Sequence, residues 1–333
     1  MKNKLILLSS ALVALASCGT PASSPASSPI ASSSEEKTPY VLDLNVACPK
    51  GAPAVSLYRH LGQPESKLDI NADATNIAAY MTSASNRDIC ILPTNAGIAA
   101  IAKKNAPFKI AATITFGNFF LASTGHDANG QLDPSDCVVY FQKSQVPGKI
   151  FDYVYGDLGL TNLHDVEAAT DAKACLETGK LTLEDKTELD VDYVFIAEPA
   201  LTATKATHPN VSEFQNVQTK WAEASGNKQL TQASVFVANS ADKTKVNAFL
   251  SSLEEDINSF VANPSVIDPF VSAVGEDIVK NRFLSPSAMI KNVTKNGNRM
   301  GLGFKKAKDN KEAILEFVKL FGITALNESV YFE

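Results

Sequence analysis

The residues best suited to chemistry stand at three junctions where an apolar, strand-like run gives way to a helix start. The first is Lys50-Gly51-Ala52-Pro53, after the alternating run 41–47 and before a helical pattern over 52–61. The second is Thr94-Asn95, after the run 88–92 closed by Pro93, with Thr94 or Asn95 as N-cap of a helix over 96–104. The third is Glu198-Pro199, between the run 192–197 and a helix over 200–206. Together they offer an ammonium, a hydroxyl, an amide and a carboxylate beside the free N–H groups of helix first turns. That set suits non-covalent capture of a small polar solute. Glu198 fits an amine or a ring N–H, although a carboxylate at a helix start also serves as a cap.

Catalytic and metal chemistry find less support. The sequence contains no Gly-x-Ser-x-Gly elbow, phosphate-binding P-loop, HExxH or GxGxxG. His60, His126, His164 and His208 are scattered singly, whereas a zinc or manganese site needs them clustered. The polar stretch 126–136 lacks the glycine placement of a calcium loop. No cofactor and no metal are expected. Cys48, Cys90, Cys137 and Cys175 form no CxxC pair, and they read equally as disulfides or as buried free thiols.

The elements that must position these residues alternate strand and helix, which predicts α/β layers. In open α/β sheets ligands bind beyond the carboxyl ends of strands, so the three junctions form one candidate site. The apolar stretch 108–123 is long for one strand and broken by Phe116-Gly117-Asn118. It reads as a crossing between two lobes, with Gly117 relieving the bend and Asn118 offering an amide, or else as a hairpin or bulge. A short strand over 234–238 precedes a helix over 242–262, whose Val246, Phe249, Leu250, Leu253, Ile257 and Phe260 recur at helical spacing and predict a core stripe. Residues 296–304 read as a loop that brings Arg299 to the site, and an amphipathic helix follows over 310–321.

The amino terminus predicts export. Lys2 and Lys4 precede an apolar run too short to span a bilayer, and Leu15-Ala16-Ser17-Cys18 closes it. Those four residues resemble the lipobox of bacterial lipoproteins, which implies removal of 1–17 and lipidation of Cys18. Residues 18–39, rich in Ser, Ala and Pro, predict a disordered tether that reaches a membrane partner. The chain carries 30 basic and 36 acidic residues, net −6, and loss of Lys2 and Lys4 makes it more acidic, which argues against nucleic-acid binding.

Lys50-Gly51-Ala52-Pro53, Leu92-Pro93-Thr94-Asn95, Phe116-Gly117-Asn118-Phe119-Phe120-Leu121 and Ala197-Glu198-Pro199, in this order, resemble the nitrate, taurine and sulfonate type of ABC-transporter substrate-binding protein, a group that also includes receptors for thiamine precursors. The resemblance implies a type II periplasmic-binding-protein fold: two α/β lobes joined by a two-strand hinge, with a ligand cleft between them. It implies lobe 1 over 40–118 and 240–333, and lobe 2 over 119–239. By position, Gly51, Ala52, Pro53, Thr94, Asn95, Gly117 and Asn118 would line one side, and Val146, Pro147, Gly148 and Glu198 the other. Only Lys50, with Arg299, offers a cation, fewer than an anionic cargo implies. The expected protein is a monomeric, non-enzymatic, lipid-anchored receptor outside the cytoplasmic membrane, handing its ligand to an ABC permease and its ATPase. The alternatives are a surface adhesin on the same fold, or an enzyme akin to those of pyrimidine synthesis or the menaquinone pathway.

Overall fold

Runs such as Ile89–Pro93, Tyr193–Ala197 and Ala233–Ala238 are apolar at nearly every position, the pattern of strands covered on both faces, and all three are central strands. The computed structural model describes residues 42–71, 74–83, 85–126 and 130–333. The export signal, Cys18 and the tether lie outside them, as do three residues of the polar turn.

In chain order the strands are β1 Val46–Pro49, β2 Leu68–Asn71, β3 Ile89–Pro93, β4 Phe108–Thr115, β5 Phe119–Ser123, β6 Cys137–Phe141, β7 Asn162–Val166, β8 Lys180–Thr182, β9 Glu188–Asp190, β10 Tyr193–Ala197, β11 Ser212–Asn216, β12 Ala233–Ala238 and β13 Leu302–Lys306. A six-stranded sheet has the order β13-β4-β12-β3-β1-β2, a five-stranded sheet the order β11-β5-β10-β6-β7, and β8 and β9 form a separate pair. β4 and β5 therefore belong to different sheets, three residues apart, and the stretch 108–123 is a crossing rather than a hairpin. The return runs from β11 through the helix Val217–Ser225 to β12. β12 pairs antiparallel with β3 and β4, so the chain is back in the six-stranded sheet by Ala233, earlier than residue 240.

Other expectations shift for local reasons. The first strand starts at Val46, and the expected helix over 52–61 is one turn, Ala52–Val55, followed by the 3₁₀ turn Tyr58–His60. Thr94 is the first helical residue and Pro93 the cap, because the Thr94 hydroxyl lies 2.8 Å from that of Ser234 and its N–H donates to the Gln232 carbonyl. Leu302–Lys306, its first three residues expected as loop, pairs with β4 across a register shift that obscures strand alternation. The last helix is Lys311–Lys319, preceded by a 3₁₀ turn. The helix Lys243–Ala262 is as expected, capped by Asp242, which accepts from the Lys245 N–H at 3.0 Å. Its stripe is buried except for Leu250, which is half-buried.

One apolar cluster lies on the six-stranded sheet, with Tyr58, Phe249 and Phe260. A second is continuous across both sheets, running from Leu92, Ile98 and Phe236 to Phe120, Phe151 and Phe195. Within this second cluster the Trp221 ring lies 6.2 Å from Phe317 and 4.6 Å from Tyr153. Cys48, Cys90, Cys137 and Cys175 are all buried and free, so the thiol reading holds. Burial pushes the Cys90 thiol up to about 12 and Cys137 up to about 11.

His60 carries a stability prediction. Burial, and then the Arg59 charge, lower its pKa to about 4, below the ordinary 6.5. The unfolded chain takes up a proton near pH 6.5 while the native imidazole stays neutral. This contribution is therefore fully present above pH 6.5 and falls away as pH drops towards 4, by about 3 kcal/mol at most. Urea unfolding at pH 7.5, 5.5 and 4.5 should show a smaller loss in His60→Gln than in the parent; parallel curves would refute the assignment.

Candidate functional site

Strand register sets the site. Pro93 and Thr115 both pair with Ala233, and Leu302 pairs with Thr115, so they stand level at one edge of the six-stranded sheet. In the five-stranded sheet Phe119 pairs with Ala197 and Phe120 with Asn216. The crossing 116–118 joins these two edges. Thr94-Asn95, Gly117-Asn118 and Glu198 thus all follow strand ends at this junction, and the helix Val146–Tyr155 starts shortly after β6.

Lys50 donates its ammonium to Asn281 Oδ1 at 2.8 Å. Gly51 adopts φ +94°, and its N–H donates to the Arg282 carbonyl at 2.9 Å, which fixes the turn into half-buried Ala52 and Pro53. Thr94 is buried in a hydroxyl chain with Ser234 and Thr113. Asn95 is half-buried, and its Oδ1 has no hydrogen-bond partner among the described residues. Pro147 and Gly148 are buried; a side-chain carbon on Gly148 would lie 2.4 Å from Lys143 Cα, so Gly148 serves close packing.

The strongest assembly is one the sequence only half disclosed. Asn118 donates Nδ2–H to the Glu198 carbonyl at 2.7 Å, and its backbone carbonyl accepts from the Glu198 N–H at 2.9 Å, so its amide donor is engaged within the protein. The Glu198 carboxylate, 0% exposed, accepts from the Thr202 N–H at 3.0 Å and hydroxyl at 2.8 Å, and from Arg299 Nε at 2.6 Å. Arg299 also binds Glu213, and its guanidinium carbon stands 4.1 Å from the Phe120 ring centroid. Burial opposes the Arg299 charge, but hydrogen bonds to Glu213 and Glu198 outweigh it and raise its pKa above the ordinary value. Two carboxylates against one guanidinium leave this cluster net negative.

Arg299 stands on the turn leading into β13 of one sheet, whereas Glu198 and Glu213 belong to the other. The turn is held by Asn298, whose Nδ2 donates to the Leu302 carbonyl at 2.6 Å, and by Phe116 N–H to the Gly301 carbonyl at 2.7 Å. Beside it a cavity of about 290 Å³ is lined by Phe116, Gly117, Phe120, Gln218, Leu230 and Arg299, among others. Gln218 Oε1 and Arg299 Nη2 are buried there without partners among the described residues. Glu213, Phe120 and Gln218 were invisible as site residues in sequence. Thr202 had one signal, its four-residue spacing from Glu198. Among the described residues no three His, Cys, Asp or Glu gather as a metal site, and no helix is long and apolar enough to cross a membrane.

An ABC transporter from Parabacteroides distasonis superposes with a TM-score of 0.66 at 16% identity, over 88% of this chain and 99% of that one. The periplasmic aliphatic sulphonate binding protein of Escherichia coli gives 0.59 at 14% identity, over 84% and 86%. The fold is that of periplasmic binding proteins. The alkanesulfonate-binding protein of Xanthomonas axonopodis pv. citri, bound to MOPS, shares this fold with a TM-score of 0.54 at 13% identity, over 87% and 94%. No family model and no curated protein matches the sequence. At these identities the likeness concerns the fold, and the ligand has to be argued from this chain's own residues.

Proposed function

We propose that the protein is the solute-capturing component of an ABC importer, binding one small polar molecule where the two sheets meet and passing it to a membrane permease. The observation that carries this reading is the convergence of Thr94-Asn95, Gly117-Asn118 and the Glu198–Arg299 cluster on the edges joined by the crossing 116–118. The residues around the two sheets form lobe 1 and lobe 2, closure of which about the paired crossings traps the ligand. The grouped side chains bind and orient, and the reading is of a receptor rather than an enzyme.

Charge narrows the cargo. Lys50 is engaged by Asn281, and Arg299 is neutralised by two carboxylates. A fully ionised sulfonate, such as the sulfonate-binding neighbours take, would find no uncompensated cation at the Glu198–Arg299 cluster, and elsewhere among these residues only Lys50, bonded to a neutral amide. The cargo is instead neutral or cationic, with ring or amide groups for the helix starts and for Asn95. Thermal unfolding of the full chain should be compared across sulfonates, nitrate, thiamine precursors, nucleobases and amino acids. A ligand at about 100 times its Kd stabilises the folded state by roughly 2.7 kcal/mol. The expected hit is a nucleobase, thiamine precursor or amino acid; a hit confined to sulfonates or nitrate refutes the charge argument, and silence across a wider solute panel refutes the receptor.

The same proposal places the protein on the outer face of the membrane, held by lipid on Cys18 after loss of 1–17, with 18–39 as tether. Cys18→Ala should abolish palmitate labelling and move the protein from the detergent phase to the aqueous phase on Triton X-114 partition; unchanged partition would argue for another anchor.

A further inference from the structure

The return crossing and the carboxyl-terminal segment border a depression of about 680 Å³ lined by Lys228, Lys305, Lys308, Asn310 and Lys311, and also by Asp309 and Glu312. Four ammonium groups and two carboxylates line it, and Glu316, Glu328 and Glu333 stand near Lys228, Lys311 and Lys308. Their pairing is incomplete. Lys305 Nζ donates to the neutral Gln229 Oε1 at 3.2 Å, and Lys308 lies 4.0 Å from Glu333, with both side chains exposed. Lys228 donates to the Ser225 carbonyl at 2.8 Å and stands 3.5 Å from Glu316, while Lys311 pairs with Glu328.

The floor of the depression supplies an independent observation. Asn310 stands at the N-cap of the helix Lys311–Lys319 but makes no side-chain cap bond. It is 3% exposed, and its Nδ2 donor has no partner among the described residues. A buried amide with an unspent donor costs free energy unless something accepts from it. Here it sits at the positive end of a helix in the depression that Lys305, bonded to a neutral amide, and Lys308, 4.0 Å from Glu333, also line. Helix dipole, amide and ammonium groups all favour the same guest, a compact oxyanion.

We propose that this depression binds a phosphate group, as a soluble phosphate or pyrophosphate or as the headgroup of an anionic lipid. Lys228 belongs to the return crossing and Lys305 to β13, so an oxyanion held between them ties the crossing to the carboxyl-terminal segment. The depression shares Asn227, Lys228 and Gln229 with the cavity beside Arg299, but its oxyanion chemistry rests on Lys305, Lys308 and Asn310, which that cavity lacks.

The test is calorimetric titration of the full chain carrying Cys18→Ser, which removes the acylation candidate, with pyrophosphate at low salt. Co-sedimentation with phosphatidylglycerol or phosphatidylcholine vesicles runs in parallel. Saturable binding is expected, weakened about tenfold or more by Lys305→Gln with Lys308→Gln and unchanged by Lys103→Gln with Lys104→Gln. Lysine-dependent binding of pyrophosphate alone assigns a soluble ion, and binding of phosphatidylglycerol vesicles alone assigns a headgroup. Binding of neither overturns the proposal, as does equal weakening by the two lysine pairs, which would reveal general charge attraction. Thermal unfolding of both double variants establishes that each is folded.

Discussion

Arg299→Ala is expected to destabilise the protein by about 3–5 kcal/mol, the cost of leaving a buried carboxylate without its cation. The magnitude follows from Glu198, whose side chain is 0% exposed and whose Oε1 lies 2.6 Å from Arg299 Nε. Thr202 continues to donate two hydrogen bonds to that carboxylate, but neither carries charge. The stacking on Phe120 is lost as well. Denaturant unfolding measures the change, and a shift below about 1 kcal/mol would contradict the account. The cause is isolated by a second substitution: Glu198→Gln in the Arg299→Ala background should recover part of the loss, because a neutral amide is cheaper to bury than an unpaired charge. Arg299→Lys should fall between, since an ammonium cannot reach Glu198 and Glu213 with the geometry of a guanidinium fork. If all three variants unfold alike, the ion pairs are not the source of stability.

Gly301→Ala should cost about 2–5 kcal/mol, summing left-handed backbone strain and overpacking. The backbone has φ +64°, and a side-chain carbon there would stand 2.0 Å from the Gly117 carbonyl oxygen, a backbone atom with no room to withdraw. Gly117 is itself confined, since its own side-chain carbon would meet Gln218 Oε1 at 2.5 Å and Leu230 Cδ2 at 2.6 Å. The Gly301 turn would have to move off the crossing and carry Arg299 away from Glu198. Gly226→Ala is the matched control: its φ is +68° with nothing within 4 Å, so it pays the backbone strain alone, about 1–2 kcal/mol. Equal costs at the two positions would show that the contact between the turn and the crossing does not matter. Solute binding by the folded Gly301→Ala protein should fall too, because that turn positions one wall of the proposed site.

Local sequence determined the elements whose signals are local. The apolar strands β3, β10 and β12 could be read from composition, and the helix Lys243–Ala262 from its stripe, because burial on both faces leaves a continuous apolar run and burial of one stripe a periodic one. The break at Phe116-Gly117-Asn118 was legible as a crossing or a hairpin, and only pairing decided between them: β4 and β5 find partners in different sheets. β13 escaped notice because Gly303 and a register shift erase its alternation. Glu198 and Arg299 could each be named as candidates, but not that they bind one another. They are 101 residues apart, and what joins them is a desolvated carboxylate at the end of β10 that a turn from the opposite sheet reaches. Residue type and spacing thus determined which groups the chain could offer to a solute. Which of those groups remain free was decided by tertiary structure, since a buried charge must be compensated by whatever the fold brings beside it.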